Sequence, residues 1–208
     1  LETQQVKAIV IACNTASALA LDTIEKEIDL PIIGVVKPGA QMAVETTQNK
    51  RVGVIATEST IQSGLYQQLI TEADPAITVY GKPCPLFVPL VEEGWTKDPI
   101  TEEVARRYLA EILDKDIDTL IMGCTHYPLL TEIIADIMGP GVTLIDSGAA
   151  AARVLRQTLS DRGALAQRDH GTLTLYASDR PEDFGALAGQ FLRRPLESAV
   201  QHVDIERY

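Results

Sequence analysis

The chain has 208 residues, of which 18 are Lys or Arg and 29 are Asp or Glu, so its formal net charge is −11. This acidic balance argues against nucleic acid or a membrane surface as a partner, because both are bound largely by Lys and Arg. No apolar run approaches the ~18 residues of a membrane helix, and three scattered cysteines do not make a disulfide framework. We therefore expect a globular, cytoplasmic protein.

Short apolar runs alternate with amphipathic stretches along the chain, which is typical of βαβ units and a mainly parallel sheet. In the amphipathic stretch after Pro99, Thr101 is predicted as the helix N-cap, with Glu102 and Glu103 in the first turn. The predicted fold class is α/β. The runs rich in Val and Ile, each predicted as a strand, are residues 6–12, 32–36, 51–56, 77–80, 119–123, 142–145 and 172–176.

Two segments rich in Gly and Pro, residues 31–39 and 139–148, are candidate crossings between domains. The stretch between them is long enough for an inserted domain. We predict a first domain from residues 1–36 together with 146–208, and a second, inserted domain from residues 37–145. Because an apolar run follows Leu1 within a few residues, we also expect an amino-terminal piece to be absent from this chain.

The sequence contains one internal similarity, between residues 7–15 (KAIVIACNT) and residues 118–126 (DTLIMGCTH). Each segment is an apolar strand that ends in a small residue and is followed by a cysteine, polar residues and a predicted helix. The two cysteines are Cys13 and Cys124. Their separation is too long for a stacked repeat and suits two similar half-structures that face each other.

A cysteine just past a parallel strand lies at the carboxyl edge of the sheet, where open α/β proteins bind ligands. If a helix begins there, its free N–H groups and positive dipole end lower the pKa of the thiol. The same N–H groups hold a carboxylate or a phosphate. Asn14, Thr15 and Thr125 add side-chain donors without positive charge, so an acidic protein can bind an anionic ligand locally.

A single cysteine in this position is usually a small buried hydrophobic residue, and Asn14-Thr15 alone is an ordinary helix start. The duplication favours chemistry, because the polar residues after each cysteine recur as well. Two opposed thiols suit racemisation, in which a base removes a proton from one face of a carbon and an acid returns one to the other. His126 would tune the Cys124 thiol or donate to a substrate carboxylate, and its alternative role is capping or packing.

The two cysteine segments resemble the signature blocks of the bacterial glutamate racemase family. The blocks are residues 12–16 (ACNTA) and residues 123–130 (GCTHYPLL), and the second is highly specific. Further similarity lies in residues 31–35 (PIIGV), 38–40 (PGA), 53–57 (GVIAT) with Thr60, 84–92 (CPLFVPLVE) and 144–148 (LIDSG). The resemblance is strong from Val6 to Asp146 and fades towards the carboxyl end.

The resemblance implies two pseudo-symmetric three-layer domains with mainly parallel sheets and an active site in the cleft between them. It implies interconversion of L- and D-glutamate without a cofactor or a metal, supplying D-glutamate for peptidoglycan in the cytoplasm, with a homodimer left open. Cys13 and Cys124 would be the acid/base thiols, His126 would support Cys124, and Glu92 would lie near the entrance. The residues that would hold the carboxylates and amino group of the substrate are Asn14, Thr15, Thr60 and Thr125.

The chain departs from the family at its beginning. The family starts with a strand that ends in Asp-Ser-Gly, and a later Pro-Tyr-Gly also lines its site. Neither precedes Val6, so about the first sixty residues of the family are expected to be missing. Asp146, in a second Asp-Ser-Gly, is expected to cap the helix that follows, and Cys84 is expected to be structural.

Three alternatives remain open. The first is a racemase for aspartate or another amino acid, although such relatives generally lack a His after the second Cys-Thr, so His126 favours glutamate. The second is a metal-binding protein that uses Cys13, Cys124 and His126, although zinc sites usually contain a close C-x₂-C pair. The third is a remnant without activity that serves only as an interaction surface.

Overall fold

The computed structural model describes residues 4–167, 171–192, 194–196 and 199–205. Strands and helices alternate along the chain, which confirms the predicted α/β class. The strands are β1 (Ile9–Ile11), β2 (Ile32–Gly34), β3 (Arg51–Ala56), β4 (Thr78–Pro83), β5 (Thr119–Gly123), β6 (Thr143–Asp146), β7 (Tyr176–Ala177) and β8 (Gln201–His202). The helices are α1 (Asn14–Leu19), α2 (Leu21–Glu27), α3 (Val36–Thr46), α4 (Glu58–Gln62), α5 (Leu65–Ala73), α6 (Phe87–Glu92), α7 (Pro99–Leu113), α8 (Thr131–Met138), α9 (Ser147–Asp161) and α10 (Pro181–Leu192), with a 3-10 helix at Tyr127–Leu130.

Every strand pair in the described part of the chain is parallel. β1 pairs with β2, and a four-stranded sheet has the strand order β4-β3-β5-β6. The short strands β7 and β8 form a third pair. Because the strands of each sheet run in the same direction, the residues that follow β3, β5 and β6 lie along one edge of the larger sheet.

Three predicted strands are shorter in the structure than expected. The run at residues 32–36 forms a strand only at Ile32–Gly34, because helix α3 begins at Val36. The run at residues 6–12 forms a strand only at Ile9–Ile11, in which Val10 is 39% exposed. The run at residues 172–176 contributes only its last residue, because β7 begins at Tyr176, and Leu173 is 45% exposed. Apolar composition alone overestimated the lengths of the strands at residues 6–12 and 172–176, because side chains of both runs face solvent.

The centre of the larger sheet consists of β3 and β5, which are almost completely buried. Side chains alternate between the two faces of a strand. Ile55 and Leu120 therefore pack against residues of α6, α7 and α8, whereas Val54 and Ile121 pack against α3 and α5. Helices on both faces explain why these two strands are continuous apolar runs. The packing fixes the positions of the strand ends from which the candidate site is built.

The chain divides into two compact units, within Leu1–Leu165 and within Ala166–Tyr208. The first unit contains β1 to β6 and α1 to α9, and the second contains β7, β8 and α10. The predicted domains, residues 1–36 with 146–208 and residues 37–145, stay a prediction. None of the described helices is both long enough and apolar enough to cross a membrane.

Helix α7 begins earlier than predicted. Its N-cap is Asp98, whose side chain accepts a hydrogen bond from a backbone N–H of the first turn, and Pro99 occupies the first helical position. Thr101 is buried, and its hydroxyl donates to the carbonyl oxygen of Trp95 at 2.7 Å. The prediction of Thr101 as the N-cap is therefore wrong, because an Asp-Pro pair three positions upstream starts the helix.

Asp118 connects the amino ends of β3 and β5. Its carboxylate accepts hydrogen bonds from the Thr47 hydroxyl (2.6 Å), the Gln48 N–H (2.6 Å), the Asn49 N–H (2.7 Å) and the Thr119 hydroxyl (2.9 Å). Burial opposes ionisation, but these donors outweigh it and hold the pKa of Asp118 below its ordinary value. The turn before β3 is thereby fastened to the start of β5.

Replacing Asp118 with Asn should lower the free energy of unfolding by about 2 kcal/mol at neutral pH, because an ionised acceptor makes stronger hydrogen bonds and this one is partly exposed. A carboxyl whose pKa is lower in the folded state stabilises the fold above its unfolded pKa, and loses that effect as pH falls through the folded pKa. The difference between parent and variant should therefore shrink below about pH 4. Urea denaturation at neutral and acid pH measures this difference in the free energy of unfolding.

The matched control is Asp136→Asn, which removes the same charge from an exposed position on α8. This control should unfold at the urea concentration of the parent at both pH values. Equal stability of Asp118→Asn and the parent at neutral pH would contradict the assigned role of Asp118.

Candidate active site

The residues that follow the parallel strands form the candidate site. Cys13 comes shortly after β1, and Cys124 follows β5 directly. Thr57 follows β3 and Ser147 follows β6. The carboxyl edge of a parallel sheet is where open α/β proteins bind ligands. The chemistry-bearing residues singled out from the sequence are therefore placed where a ligand is expected.

Cys13 is an exposed free thiol at the start of α1. It is the N-cap of that helix, and its Sγ accepts a hydrogen bond from the Ala16 N–H at 3.5 Å. The prediction that a helix begins at the first cysteine is confirmed. The sulfur is thus both fixed by the helix start and accessible from outside.

Cys124 is in a different environment, because it is only 7% exposed. No α-helix begins beside it: the 3-10 helix Tyr127–Leu130 comes first and α8 follows. Burial raises the pKa of the Cys124 thiol, the His126 N–H lowers it, repulsion from Cys13 raises it, and donors of Thr125 lower it. The net shift is upward. The prediction that this thiol has a lowered pKa is therefore wrong, because burial outweighs the donors.

Hydrogen bonds join the two cysteine segments. Asn14, next to Cys13, donates to Ser147 Oγ at 3.2 Å, and Ser147 donates to the carbonyl oxygen of Met122, two residues before Cys124, at 3.4 Å. This connection is not local, because Cys13 follows a strand of the two-stranded sheet and Cys124 follows a strand of the four-stranded sheet. Two thiolates side by side in a partly buried place are unfavourable. Of the combinations of thiol and thiolate, two thiolates together are therefore the least favoured.

His126 links the second thiol to the surface. Its Nδ1 lies 3.9 Å from the Sγ of Cys124 and 3.3 Å from the Oγ1 of Thr125. Its Nε2 lies 3.3 Å from Oε1 of Glu92, an exposed residue at the end of α6. The imidazole is mostly buried and Thr125 is exposed. The structure thus places four of the predicted residues in one group.

Three threonine hydroxyls form a triangle beside α1. The Oγ1 of Thr15 lies 2.9 Å from that of Thr57 and 3.0 Å from that of Thr60, and the last two are 2.9 Å apart. Thr15 and Thr60 are predicted site residues that the structure brings together. Thr57 was missed, although a threonine that directly ends a strand and starts α4 is a recognisable N-cap. Each hydroxyl can both donate and accept, so this surface is polar but uncharged.

Asn14 is buried, and its side-chain amide is held by two residues that the sequence did not single out for the site. Its Oδ1 accepts from the Tyr66 hydroxyl at 2.7 Å, and its Nδ2 donates to Ser147 Oγ at 3.2 Å. No local signal identifies these partners, because they lie on α5 and α9. Asp146, next to Ser147, accepts from two N–H groups of α9, so its predicted capping role is confirmed.

Cys84, the third cysteine, belongs to the core. It is fully buried in a cluster with Phe87 and Tyr127, and the Tyr127 hydroxyl donates to its carbonyl oxygen at 2.8 Å. Burial raises the pKa of the Cys84 thiol to about 12. The expected structural role of this cysteine is confirmed.

Two hollows lie in the described part of the chain, one a groove and the other a small cavity. A groove of about 480 Å³ runs along α7, between Leu86 and Tyr108, and none of the predicted site residues lines it. A small cavity of about 50 Å³ borders Thr60 and Tyr66. Among the described residues, no three His, Cys, Asp or Glu side chains are grouped so as to hold a metal ion. The chemistry therefore favours the carboxyl edge over the larger groove.

A limiting amount of a thiol alkylating reagent should modify Cys13 at least about tenfold faster than the other two cysteines, because only Cys13 is exposed. Peptide mass spectrometry of samples quenched at intervals measures the three rates. Cys13→Ser should remove the fast reaction, and Cys84→Ser, the matched control, should leave it. Fastest modification at Cys124 or Cys84 would contradict the described site.

The chain is similar to known proteins over nearly all of its length. A glutamate racemase of Chlorobaculum tepidum is 47% identical over 194 residues, which are 92% of this chain and 71% of that protein. The structure of a glutamate racemase isoform of Bacillus anthracis matches with a TM-score of 0.92 and 33% identity, covering 98% of this chain and 77% of that one. A glutamate racemase of Francisella tularensis in complex with D-glutamate matches with a TM-score of 0.90 and 38% identity, covering 100% and 77%.

These similarities cover both halves of the candidate site. The family described as Asp/Glu/Hydantoin racemase matches residues 1–155, which include both cysteine segments and the residues grouped around them. The close structural matches also support the mainly parallel α/β architecture expected from the sequence. The chain therefore belongs to the Asp/Glu/hydantoin racemase family of isomerases.

Proposed function

We propose that this chain interconverts L- and D-glutamate, with Cys13 and Cys124 as its two acid/base groups and without a cofactor. The observation that carries the proposal is the placement of the two cysteines at the carboxyl edges of their sheets, where Cys13 caps α1 after β1 and Cys124 directly follows β5. Glutamate as the substrate is supported by the relatives, which include glutamate racemases and a complex with D-glutamate. Within the family, His126 after the second Cys-Thr also favours glutamate over aspartate.

Racemisation needs a base on one face of the α carbon and an acid on the other. Repulsion disfavours two thiolates, and burial favours the protonated form of Cys124. In one direction the Cys13 thiolate removes the α-proton, and the Cys124 thiol gives its proton to the opposite face. The reverse direction begins with the thiolate on Cys124. Each turnover moves one proton onto one sulfur and one proton off the other, so charge is conserved.

Neutral groups hold the substrate in this proposal. The hydroxyls of Thr15, Thr60 and Thr125 and the amide of Asn14 bind its carboxylates and amino group, with Thr57 completing the threonine triangle. Hydrogen bonds to an ionised carboxylate contribute roughly 1.5–3 kcal/mol each. Because these groups are uncharged, they bind an anion through hydrogen bonds alone.

His126 supports Cys124 in this mechanism. Its Nδ1 faces the sulfur and its Nε2 faces the Glu92 carboxylate, so the two ring nitrogens have different partners. An imidazole held between a thiol and a carboxylate can move a proton to or from the thiol. Glu92, exposed at the end of α6, connects this relay with the entrance of the site.

The wider role that we propose is the supply of D-glutamate for peptidoglycan in the cytoplasm. The bacterial relatives that are glutamate racemases support it. Restored growth of a bacterial strain that requires external D-glutamate tests this role. The partner in the proposal is a small molecule. Light scattering in solution decides between a monomer and a homodimer.

In heavy water the protein should exchange the α-hydrogen of L-glutamate for deuterium while the optical rotation falls to zero. Cys13→Ala and Cys124→Ala should each lower the racemisation rate at least about a hundredfold, because each removes one proton-transfer group. Proton NMR and polarimetry follow the two changes. The assay is run on the 208-residue chain.

The matched control is Cys84→Ala, which removes a buried thiol from the core and leaves the site intact. This variant should racemise glutamate at the rate of the parent. Racemisation by Cys13→Ala and Cys124→Ala at the parental rate would show that the two-thiol mechanism is wrong. Faster exchange with L-aspartate than with L-glutamate would show that the assigned substrate is wrong.

A further inference from the structure

Tyr66 of α5 lies beside the candidate site, although no step of the mechanism uses it. The side chain is 4% exposed, and its ring lies where two glycines leave space. A Cβ atom on Gly39 would lie 3.2 Å from the Tyr66 hydroxyl oxygen, and one on Gly123 would lie 3.2 Å from ring atom Cε2. Because Gly123 directly precedes Cys124, the tyrosine ring packs against the strand end that carries the second thiol.

The Tyr66 hydroxyl begins a chain of hydrogen bonds across the site. It donates to Asn14 Oδ1 at 2.7 Å, and Asn14 Nδ2 donates to Ser147 Oγ at 3.2 Å. The Ser147 hydroxyl then donates to the Met122 carbonyl oxygen in a longer bond of 3.4 Å. The four residues belong to α5, α1, α9 and β5. The helix that Cys13 caps is thereby joined to the strand that Cys124 follows.

The last acceptor fixes the direction of this chain. A carbonyl oxygen can only accept, so Ser147 donates to Met122 and must accept from the amide nitrogen of Asn14. The amide oxygen of Asn14 must then face Tyr66, whose hydroxyl must donate. Burial raises the pKa of Tyr66 more than a hydrogen bond with Ser147 lowers it, so the hydroxyl keeps the proton that it donates to Asn14. The second N–H of the Asn14 amide takes no part in the chain.

We propose that Tyr66 is a positioning residue, whose hydroxyl holds the Asn14 amide in the orientation that offers an N–H to the substrate. This inference rests on the proposed function, in which Asn14 binds a substrate carboxylate. An amide turned around would present its oxygen instead, and an oxygen cannot donate to a carboxylate. Tyr66 itself touches neither the substrate nor the transferred proton in this account.

Tyr66→Phe keeps the ring between the two glycines and removes only the hydroxyl. The buried Asn14 oxygen loses its donor and only the 3.2 Å bond to Ser147 still orients the amide, so the amide turns more readily and KM for glutamate should rise about tenfold. The kcat value should change by less than about threefold, because the proton-transfer groups are untouched. Racemisation rates of the parent and of Tyr66→Phe over a range of glutamate concentrations give both constants.

Further variants separate positioning from stability. Asn14→Ala removes the amide that Tyr66 holds, so adding Tyr66→Phe to it should change KM by less than about twofold. Asn14→Asp serves the same purpose if Asn14→Ala does not fold, because aspartate has no N–H to offer. Thr101→Val is the matched control: it removes a buried hydroxyl that donates at 2.7 Å to a carbonyl oxygen outside the site, and it should leave KM unchanged.

An unchanged KM in Tyr66→Phe, with an active parent, would overturn the inference and leave the proposed function standing. An equal rise in KM with and without the Asn14 amide would also overturn it, because Tyr66 would then act by another route. A parent enzyme that does not racemise glutamate would instead contradict the proposed function itself.

Discussion

The joining of the Cys13 and Cys124 segments through Asn14 and Ser147 is the constraint on which the rest of the site depends. Two sulfurs in one partly buried place do not ionise together readily, and burial biases Cys124 towards the thiol. One exposed and one buried thiol thus lie at the carboxyl edges of the sheets. The neutral character of Asn14 and the threonines fits this arrangement, because a Lys or Arg in their place would stabilise a second thiolate.

The sheets provide this arrangement by their direction. All described strand pairs are parallel, so the residues after β3, β5 and β6 meet at one edge, while Asp118 fastens the opposite ends of β3 and β5. Residues that hold the fold together and residues that carry chemistry are thereby placed at opposite ends of the same strands. Tight packing of β3 and β5 between helices then fixes where Cys124 lies.

Patterns within a short stretch of sequence predicted much of this structure. The alternation of apolar runs and amphipathic stretches predicted the α/β class. The two matching segments predicted that Cys13 and Cys124 each lie just after a strand. Local cap chemistry correctly identified Asp146 as a helix N-cap. It wrongly placed the start of α7 at Thr101, whereas the helix starts at Asp98 and Pro99, which are a stronger start signal. These successes and errors all concern neighbours along the chain.

Features that depend on distant contacts were not predictable in this way. The raised pKa of Cys124 comes from burial, whereas the sequence suggested only a helix start. The Asn14 amide has two partners, Tyr66 and Ser147, which lie on other helices. Nothing near Asn14 in the sequence indicates them. The predicted strand at residues 172–176 failed because an apolar run is a strand only where its side chains are covered.

The pH dependence of alkylation at Cys124 tests the repulsion between the two thiols most directly. Its rate rises as the thiolate forms, so the midpoint of the rate with pH reports the pKa of that thiol. Because Cys13 raises this pKa, the midpoint should fall in Cys13→Ala and stay unchanged in Cys84→Ala. Peptide mass spectrometry resolves Cys124 from the other cysteines. An unchanged midpoint in Cys13→Ala would contradict the account, because the two thiols would then titrate independently.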